Sequence, residues 1–224
     1  MQILIRKIIM NLFDAFLNYE NHQVNNSRIY GVVVGVVTNN QDPDKLGRVK
    51  VKFPWLSNED ESYWARIAAP MAGKDRGAYF LPEVDDEVLV VFERGDLHFP
   101  YIIGGLWNGK DTPPANNEDG KNNVRMIKSR SGHVIQLNDE EGKEKIEITD
   151  KQQKNYLTIN VAENTITLTA NKDIILSAPQ GTIKLDAQKI EIKSSNDSKI
   201  EAGTGMDIKA SATMNLKGAT INLN

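Results

Sequence analysis

Apolar residues recur along this chain with three successive periods, and each period predicts a different kind of element. Ile5, Ile8, Ile9, Leu12, Phe13, Phe16 and Leu17 are spaced by three, four and seven residues. That spacing predicts an amphipathic helix of about four turns near residues 3–17, suited to docking on a partner. From residue 29 to 108 the period falls to two. Val49, Val51 and Phe53 alternate with Arg48, Lys50 and Lys52, the pattern of a half-buried strand. Further strands are predicted over 30–38, 64–68, 87–92 and 99–106, separated by turn chemistry such as the NNQDPDKL stretch at 39–46. Five short strands in this length suit a small closed barrel of the OB type.

The third period begins at Val134. Apolar pairs at i and i+2 recur as Ile135/Leu137, Ile146/Ile148, Leu157/Ile159, Ile166/Leu168, Ile174/Leu176, Ile183/Leu185 and Ile190/Ile192. Ile200, Met206/Ile208, Met214/Leu216 and Ile221/Leu223 follow, the first members standing 11, 11, 9, 8, 9, 7, 10, 6, 8 and 7 residues apart. A strand with two apolar side chains cannot bury them alone, so the repeat predicts stacking. A single-chain β-helix needs about 18 residues per coil for its three faces. A step near eight supplies one face, and three identical chains wound together supply the other two. The reading is an intertwined trimeric β-helix, a prism whose core includes Ile166, Leu168, Ile174, Leu176, Ile183, Leu185, Ile190 and Ile192. Layers at about 4.8 Å give a shaft of roughly 50 Å. An antiparallel meander with apolar pairs on one face predicts the same alternation and is the competing reading.

Composition sharpens the division. Fourteen of the fifteen aromatics lie at or before Trp107, and only Tyr156 follows, so the second half has a core too narrow for large rings. Residues 109–123 (GKDTPPANNEDGKNN) are polar and turn-rich. The expected domains are a helical docking segment at 1–28, a barrel at 29–108, a linker at 109–123 and a spike at 124–224. There is no Cys, which excludes thiolate metal sites, disulfides and Cys nucleophiles. The three His residues are His22, His98 and His133, and no cofactor or metal is expected. A net charge of −3 argues against a chain built for non-specific nucleic-acid binding. Arg6, Lys7 and Asp14 interrupt the apolar N-terminal stretch, which therefore reads as neither a membrane span nor a secretory signal. Met10 is an alternative start.

Three constellations invite chemistry. Glu83, Asp85, Asp86 and Glu87 form an acidic cluster in which a glycosidase pair could be sought; a solvated turn ahead of the next strand is the favoured reading. His98 and His133 lack a Ser or Cys partner in a triad-like motif, although one His133 per chain could meet on a threefold axis. Trp55, Tyr63, Trp64 and Trp107, with Arg48, Lys50 and Lys52, could form a stacking platform for single-stranded nucleic acid. Trp64 and Trp107 are instead read as core or trimer-interface residues, and the segment from Gly73 to Gly77 as a loop near the threefold axis.

Several motifs stand in the order and spacing of a known family. PDKLGRVKVKF (43–53), WARIAAPMAGKDRGAYFLPEVDDEVLVVFERGD (64–96) and PYIIGGLWN (100–108), followed by the repeat, resemble the spike proteins of contractile injection systems, VgrG and phage baseplate assembly protein V. The resemblance covers residues 28 to 223 and implies a non-enzymatic homotrimer that caps an inner tube and baseplate hub and pierces a target cell envelope. It implies assembly in the bacterial cytoplasm as part of a phage tail, a tailocin or an injector particle. About 28 residues precede the barrel, which resembles the shorter baseplate-V type rather than a VgrG with its fused hub. Hub docking then falls to Ile5, Ile9, Leu12, Phe13 and Phe16. Residues 109–123 leave no room for the lysozyme domain some phage spikes carry. No His-x-His occurs in the tail, so Met214, Leu216, Ile221 and Leu223 are expected to seat a separate PAAR-repeat tip protein.

Overall fold

The computed structural model describes residues 28–56 and 60–222. The helix expected near residues 3–17, with Ile5, Ile9, Leu12, Phe13 and Phe16, lies outside them, as does Leu223. The chain divides into two units, residues 1–169 and 170–224.

Among the described residues of the first unit twelve strands form. They are β1 (Val33–Asn39), β2 (Lys50–Lys52), β3 (Arg66–Ile67), β4 (Ala72–Gly73), β5 (Arg76–Gly77), β6 (Glu87–Phe92), β7 (Pro100–Gly105), β8 (Val124–Lys128), β9 (Val134–Asn138), β10 (Lys145–Thr149), β11 (Tyr156–Asn160) and β12 (Thr165–Thr169). The first sheet runs β2-β1-β6-β7-β3. Its neighbours are antiparallel except β3 and β7, which are parallel, with Arg66 opposite Tyr101. The residues just before β3 return to β2 through bridges between Val49 and Ala65 and between Lys52 and Glu61. That return closes the ring, giving the OB-type barrel that the alternation predicts. The register shift between Leu89 and Val90 against β7 lets the sheet bend as closure requires.

Alternation decides what the ring encloses. Val88, Val90 and Phe92 point inward from β6 and are buried. They meet Val37, Val49, Val51, Phe53, Ala65 and Ile102. Gly35 sits among them because a Cβ there would come within 3.3 Å of Phe53 and of two Val51 carbons. The hairpin of β4 and β5 is an addition: the sequence read this stretch as a loop. Asp75 adopts φ 55° in its turn, and Gly77 is required because a Cβ would lie 2.7 Å from the Met71 carbonyl oxygen.

The second sheet, β12-β11-β10-β9-β8, is an antiparallel meander within one chain. This departs from the winding of one strand per step expected from Val134 onward. The reason lies in the connections. Gly132, Gly142, Gln153 and Asn164 all have positive φ, and each lets the chain reverse on itself. Turn bonds from Gly132 N–H to Ser129, Lys143 N–H to Glu140, Gln153 N–H to Asp150 and Asn164 N–H to Val161 close the reversals. The pairs from Ile135 to Leu168 are therefore rungs of hairpins. Among the described residues of the second unit, 170–222, no strand forms.

Candidate functional site: uncovered apolar surfaces

Register and alternation together put one apolar face on the second sheet. Ile127, Ile135, Ile148, Leu157 and Leu168 stand opposite one another across its five strands, and Leu137, Ile146, Ile159 and Ile166 make a second row. Arg125 holds the fifth place of that row, opposite Leu137, and its guanidinium pairs with the Asp139 carboxylate. The other pleat is mostly polar, with Gln136, Glu147, Thr158 and Thr167 in line and a Lys145–Glu147 ion pair at 2.8 Å. Seven of the nine apolar residues are 40 to 73% exposed. A contiguous apolar patch on an otherwise polar sheet is the signature of an interaction surface.

The same chemistry continues in the second unit. Ile174, Leu176, Ile183, Leu185, Ile190, Ile192, Ile200, Met206, Ile208, Met214, Leu216 and Ile221 are all exposed. Within a pair the first member is less exposed than the second, as with Ile190 at 51% and Ile192 at 79%. Charged residues flank the apolar ones at alternate positions. Lys184 pairs with Asp186 at 3.4 Å, and Lys189 with Glu191 and Lys199 with Glu201 make the same two-residue contact.

On the barrel, the polar candidates are occupied in structural roles. The Asp42 carboxylate, 3% exposed, accepts hydrogen bonds from the backbone N–H groups of Asp44, Leu46 and Arg48 and from the Arg48 guanidinium at 2.6 and 2.8 Å. Arg48, together with these N–H groups, holds the Asp42 carboxyl far below the usual carboxylate range. Asp44 takes a further Arg48 bond at 2.6 Å. Lys50 pairs with Glu61 at 3.0 Å, which lowers the Glu61 pKa, and both cations lie over the Trp64 ring. The stacking platform is thus already neutralised: Arg48 and Lys50 face protein carboxylates. Trp64 is half-buried beneath them, whereas Trp107 is 69% exposed and is not a core residue of the single chain. Trp55 lines an open apolar groove with Ile29, Val32, Val33 and Val34.

The acidic cluster folds as a turn. Asp86 accepts from the Glu83 N–H at 2.8 Å, Asp85 adopts φ 76°, Glu83 pairs with Arg130, and Asn108 reaches Glu87 at 3.4 Å. No two of these carboxylates are engaged as an acid–base pair in those contacts. His98 Nδ1 lies 2.7 Å from Asp96, and its ring stacks on Tyr63 at 4.7 Å. His133 is exposed at the β8–β9 turn, its backbone N–H donating to Ser129 Oγ. Among the described residues no group of three or more His, Asp or Glu is arranged to hold a metal ion. Two features escaped the sequence reading. Strand β8 was missed because Arg125 stands where the first apolar member of its pair, two residues before Ile127, is sought. The Asp42–Arg48 pair was missed because its partners sit on either side of a turn.

Residues 33–107, the span from β1 through β7, match the family described as the type VI secretion system/phage-baseplate injector OB domain. Residues 33–107 are thus an injector OB domain. The chain is 34% identical over 143 residues to the type VI secretion system spike protein VgrG1a of Pseudomonas aeruginosa. That alignment takes in 58% of this chain and 22% of the relative. It is 30% identical over 149 residues to spike protein VgrG3 of Vibrio cholerae, covering 61% of this chain and 15% of that one. It is 33% identical over 111 residues to the actin cross-linking toxin VgrG1 of Vibrio cholerae, covering 46% and 10%. The chain thus spans less than a quarter of the length of these VgrG relatives. The motifs that carry the injector OB resemblance map onto barrel elements: PDKLGRV, directly after Asp42, holds Asp44 and Arg48, and PYIIGG is β7.

Proposed function

We propose that this protein is the central spike of a contractile injection machine, acting as a homotrimer that caps the inner tube and hub and pierces a target envelope. The observation that carries the reading is the nine-residue apolar face of β8–β12, followed in sequence by apolar steps that form no strand among the described residues. Three copies of an amphipathic sheet, apolar sides inward, make a closed prism with no open edge. The later steps, each about eight residues, give one strand and one corner, so each chain contributes one face per layer. Burial of each Ile or Leu contributes roughly 1.5–3 kcal/mol. The injector OB domain supplies the family context for this role, and the barrel's charged residues support architecture rather than catalysis.

In this reading the protein has no bond-breaking chemistry. It is built in the bacterial cytoplasm into a phage tail, tailocin or injector. The segment with Ile5, Ile9, Leu12, Phe13 and Phe16 docks on the hub, and Met214, Leu216, Ile221 and Leu223 seat a PAAR-repeat tip protein. The test is the native mass of the full chain by light scattering on a sizing column. About three times 25.0 kDa in an elongated particle is expected, and a well-folded monomer overturns the reading. For the tip, deletion of residues 214–224 is expected to abolish retention of a PAAR-repeat protein by the trimer. Undiminished retention removes that partner from this end.

A further inference from the structure

Apolar pairs at i and i+2 have a weakness as a guide to assembly. Their period is two, so a strand that slips by two residues against its neighbour still presents apolar side chains to the core. Leu185 stacks on Ile190 in such a slip as readily as Ile183 does in register. The slip puts Ile183 over Gln188 and Ala187 over Ile192, so the core keeps one of its two apolar contacts and discriminates only in part, which leaves room for a second selector.

The outward residues supply it at one step. Aligning the second unit on its apolar pairs gives Thr182-Ile183-Lys184-Leu185-Asp186 over Lys189-Ile190-Glu191-Ile192-Lys193. In this register Lys184 stands over Glu191 and Asp186 over Lys193, two opposite-sign neighbours. A two-residue slip puts Lys184 over Lys189 and Asp186 over Glu191, two like-sign neighbours. The side chains concerned are available: Lys184 and Asp186 are 80 and 81% exposed, and Glu191 is 73% exposed. Each strand also carries its own pair, Lys184 with Asp186 and Lys189 with Glu191. Stacking adds a checkerboard of four alternating charges, the kind of network in which exposed ion pairs count. Elsewhere the outward columns run like-signed, with Lys189 and Lys199 in one and Glu191, Glu201 and Asp207 in another. The inverted order at Lys184 and Asp186 is what makes this step selective.

We infer that Lys184 and Asp186 of one protomer pair with Glu191 and Lys193 of the next, and that this quartet sets the register of the interwoven shaft. The inference rests on the trimeric spike reading. In a prism where each chain moves to the next face at each step, the strand above Ile183 on a given face belongs to another copy. Residues 184 and 191 of one chain then lie on different faces. They are separated by up to about 23 Å of extended backbone, so any coupling between them passes between chains.

The test uses the full chain at roughly 20 mM salt, where surface charges are least screened. Lys184→Glu turns three attractive contacts per trimer into three repulsive ones. It is expected to speed trimer unfolding roughly tenfold, and Glu191→Lys is expected to do the same. The double variant Lys184→Glu/Glu191→Lys is expected to unfold more slowly than either single one, with the coupling lost in about 1 M salt. A second measurement does not depend on those variants assembling. The natural chain has no Cys, so paired cysteines report only their own contact. In-register strands about 4.8 Å apart meet disulfide geometry. Lys184→Cys/Glu191→Cys is therefore expected to give a covalent trimer on a non-reducing gel, and Lys184→Cys/Lys189→Cys none. Crosslinking of the second pair in place of the first, or additive charge variants in a chain of trimeric mass, overturns the register assignment and leaves the spike reading standing. A monomeric mass overturns both.

Discussion

Replacing Ile148 by Asp is expected to leave the barrel folded and the chain monomeric. Ile148 is the middle residue of its row, between Ile135 and Leu157, and is 48% exposed in the single chain. Closing three sheets around an axis buries the remaining half of this side chain in each protomer. That amounts to about 2–5 kcal/mol over three copies, from the usual value for a fully buried aliphatic side chain. The substitution removes this and places three unpaired carboxylates at the centre of an apolar seam, each costing several kcal/mol more. At about 1.4 kcal/mol per tenfold, assembly weakens by several orders of magnitude. The barrel core is separate, since Val37, Val51, Val88, Val90 and Ile102 are buried by one another. Thr167→Lys, on the opposite pleat, is the control and is expected to stay trimeric. Light scattering reads both masses, and a trimeric Ile148→Asp protein shows that this face is not the seam.

Asp42→Asn is expected to be the most damaging polar substitution in the barrel. The carboxylate is nearly buried and accepts from three backbone N–H groups and from Nε and Nη2 of Arg48. The amide keeps the shape, loses the charge, and turns one acceptor into a donor that faces N–H groups. A fall in melting temperature of roughly 5 °C or more is expected for a domain of this size. The effect carries a pH signature. The folded pKa is lowered, so the unfolded chain takes up its proton first as pH drops. The stabilisation is complete above the unfolded carboxylate pKa, near 3.9, and is lost progressively as pH falls below it toward the folded value. The gap in melting temperature between parent and Asp42→Asn is therefore expected to be constant from pH 7 to about pH 5 and to narrow below pH 4. A gap that stays flat to pH 2.5 shows that the Asp42 charge contributes nothing.

The barrel was legible because its strands advertise themselves. Val49, Val51 and Phe53 alternate with cations, so inward and outward positions there follow from spacing alone; β6 is a nearly continuous apolar run, and its inward Val88, Val90 and Phe92 are told from Leu89 and Val91 only by the fold. The β4–β5 hairpin was not legible, since two-residue strands carry no period. Over residues 134–169 the alternation was read correctly and the path of the chain was not. An i, i+2 pair looks the same in a hairpin rung and in a winding step. The information that separates them sits in Gly132, Gly142, Gln153 and Asn164, where positive φ reverses the chain; Gln is no signature for such a turn. Apart from Ile127, the apolar residues of the candidate surface were found from sequence, but their two rows follow only from pairings such as that of Ile148 with Ile135 and Leu157. Arg48 and Lys50, which composition alone offers to a phosphate, are committed to Asp42, Asp44 and Glu61.

The meander has a consequence for the order of events during folding. Its four reversals join strands that are adjacent in sequence, so every contact is local. Local hairpins close in about 1–10 μs, within one chain and at any concentration. In the trimeric spike reading, steps 170–222 have no such option, because their partners are other chains and their encounter depends on how many chains are present. Each chain thus arrives with a short finished sheet whose strand order is already correct. Three such sheets meeting once act as a nucleus, after which the remaining strands add in sequence like a zipper. Chains that start such a zipper at its nucleated end do not have to search for one another again.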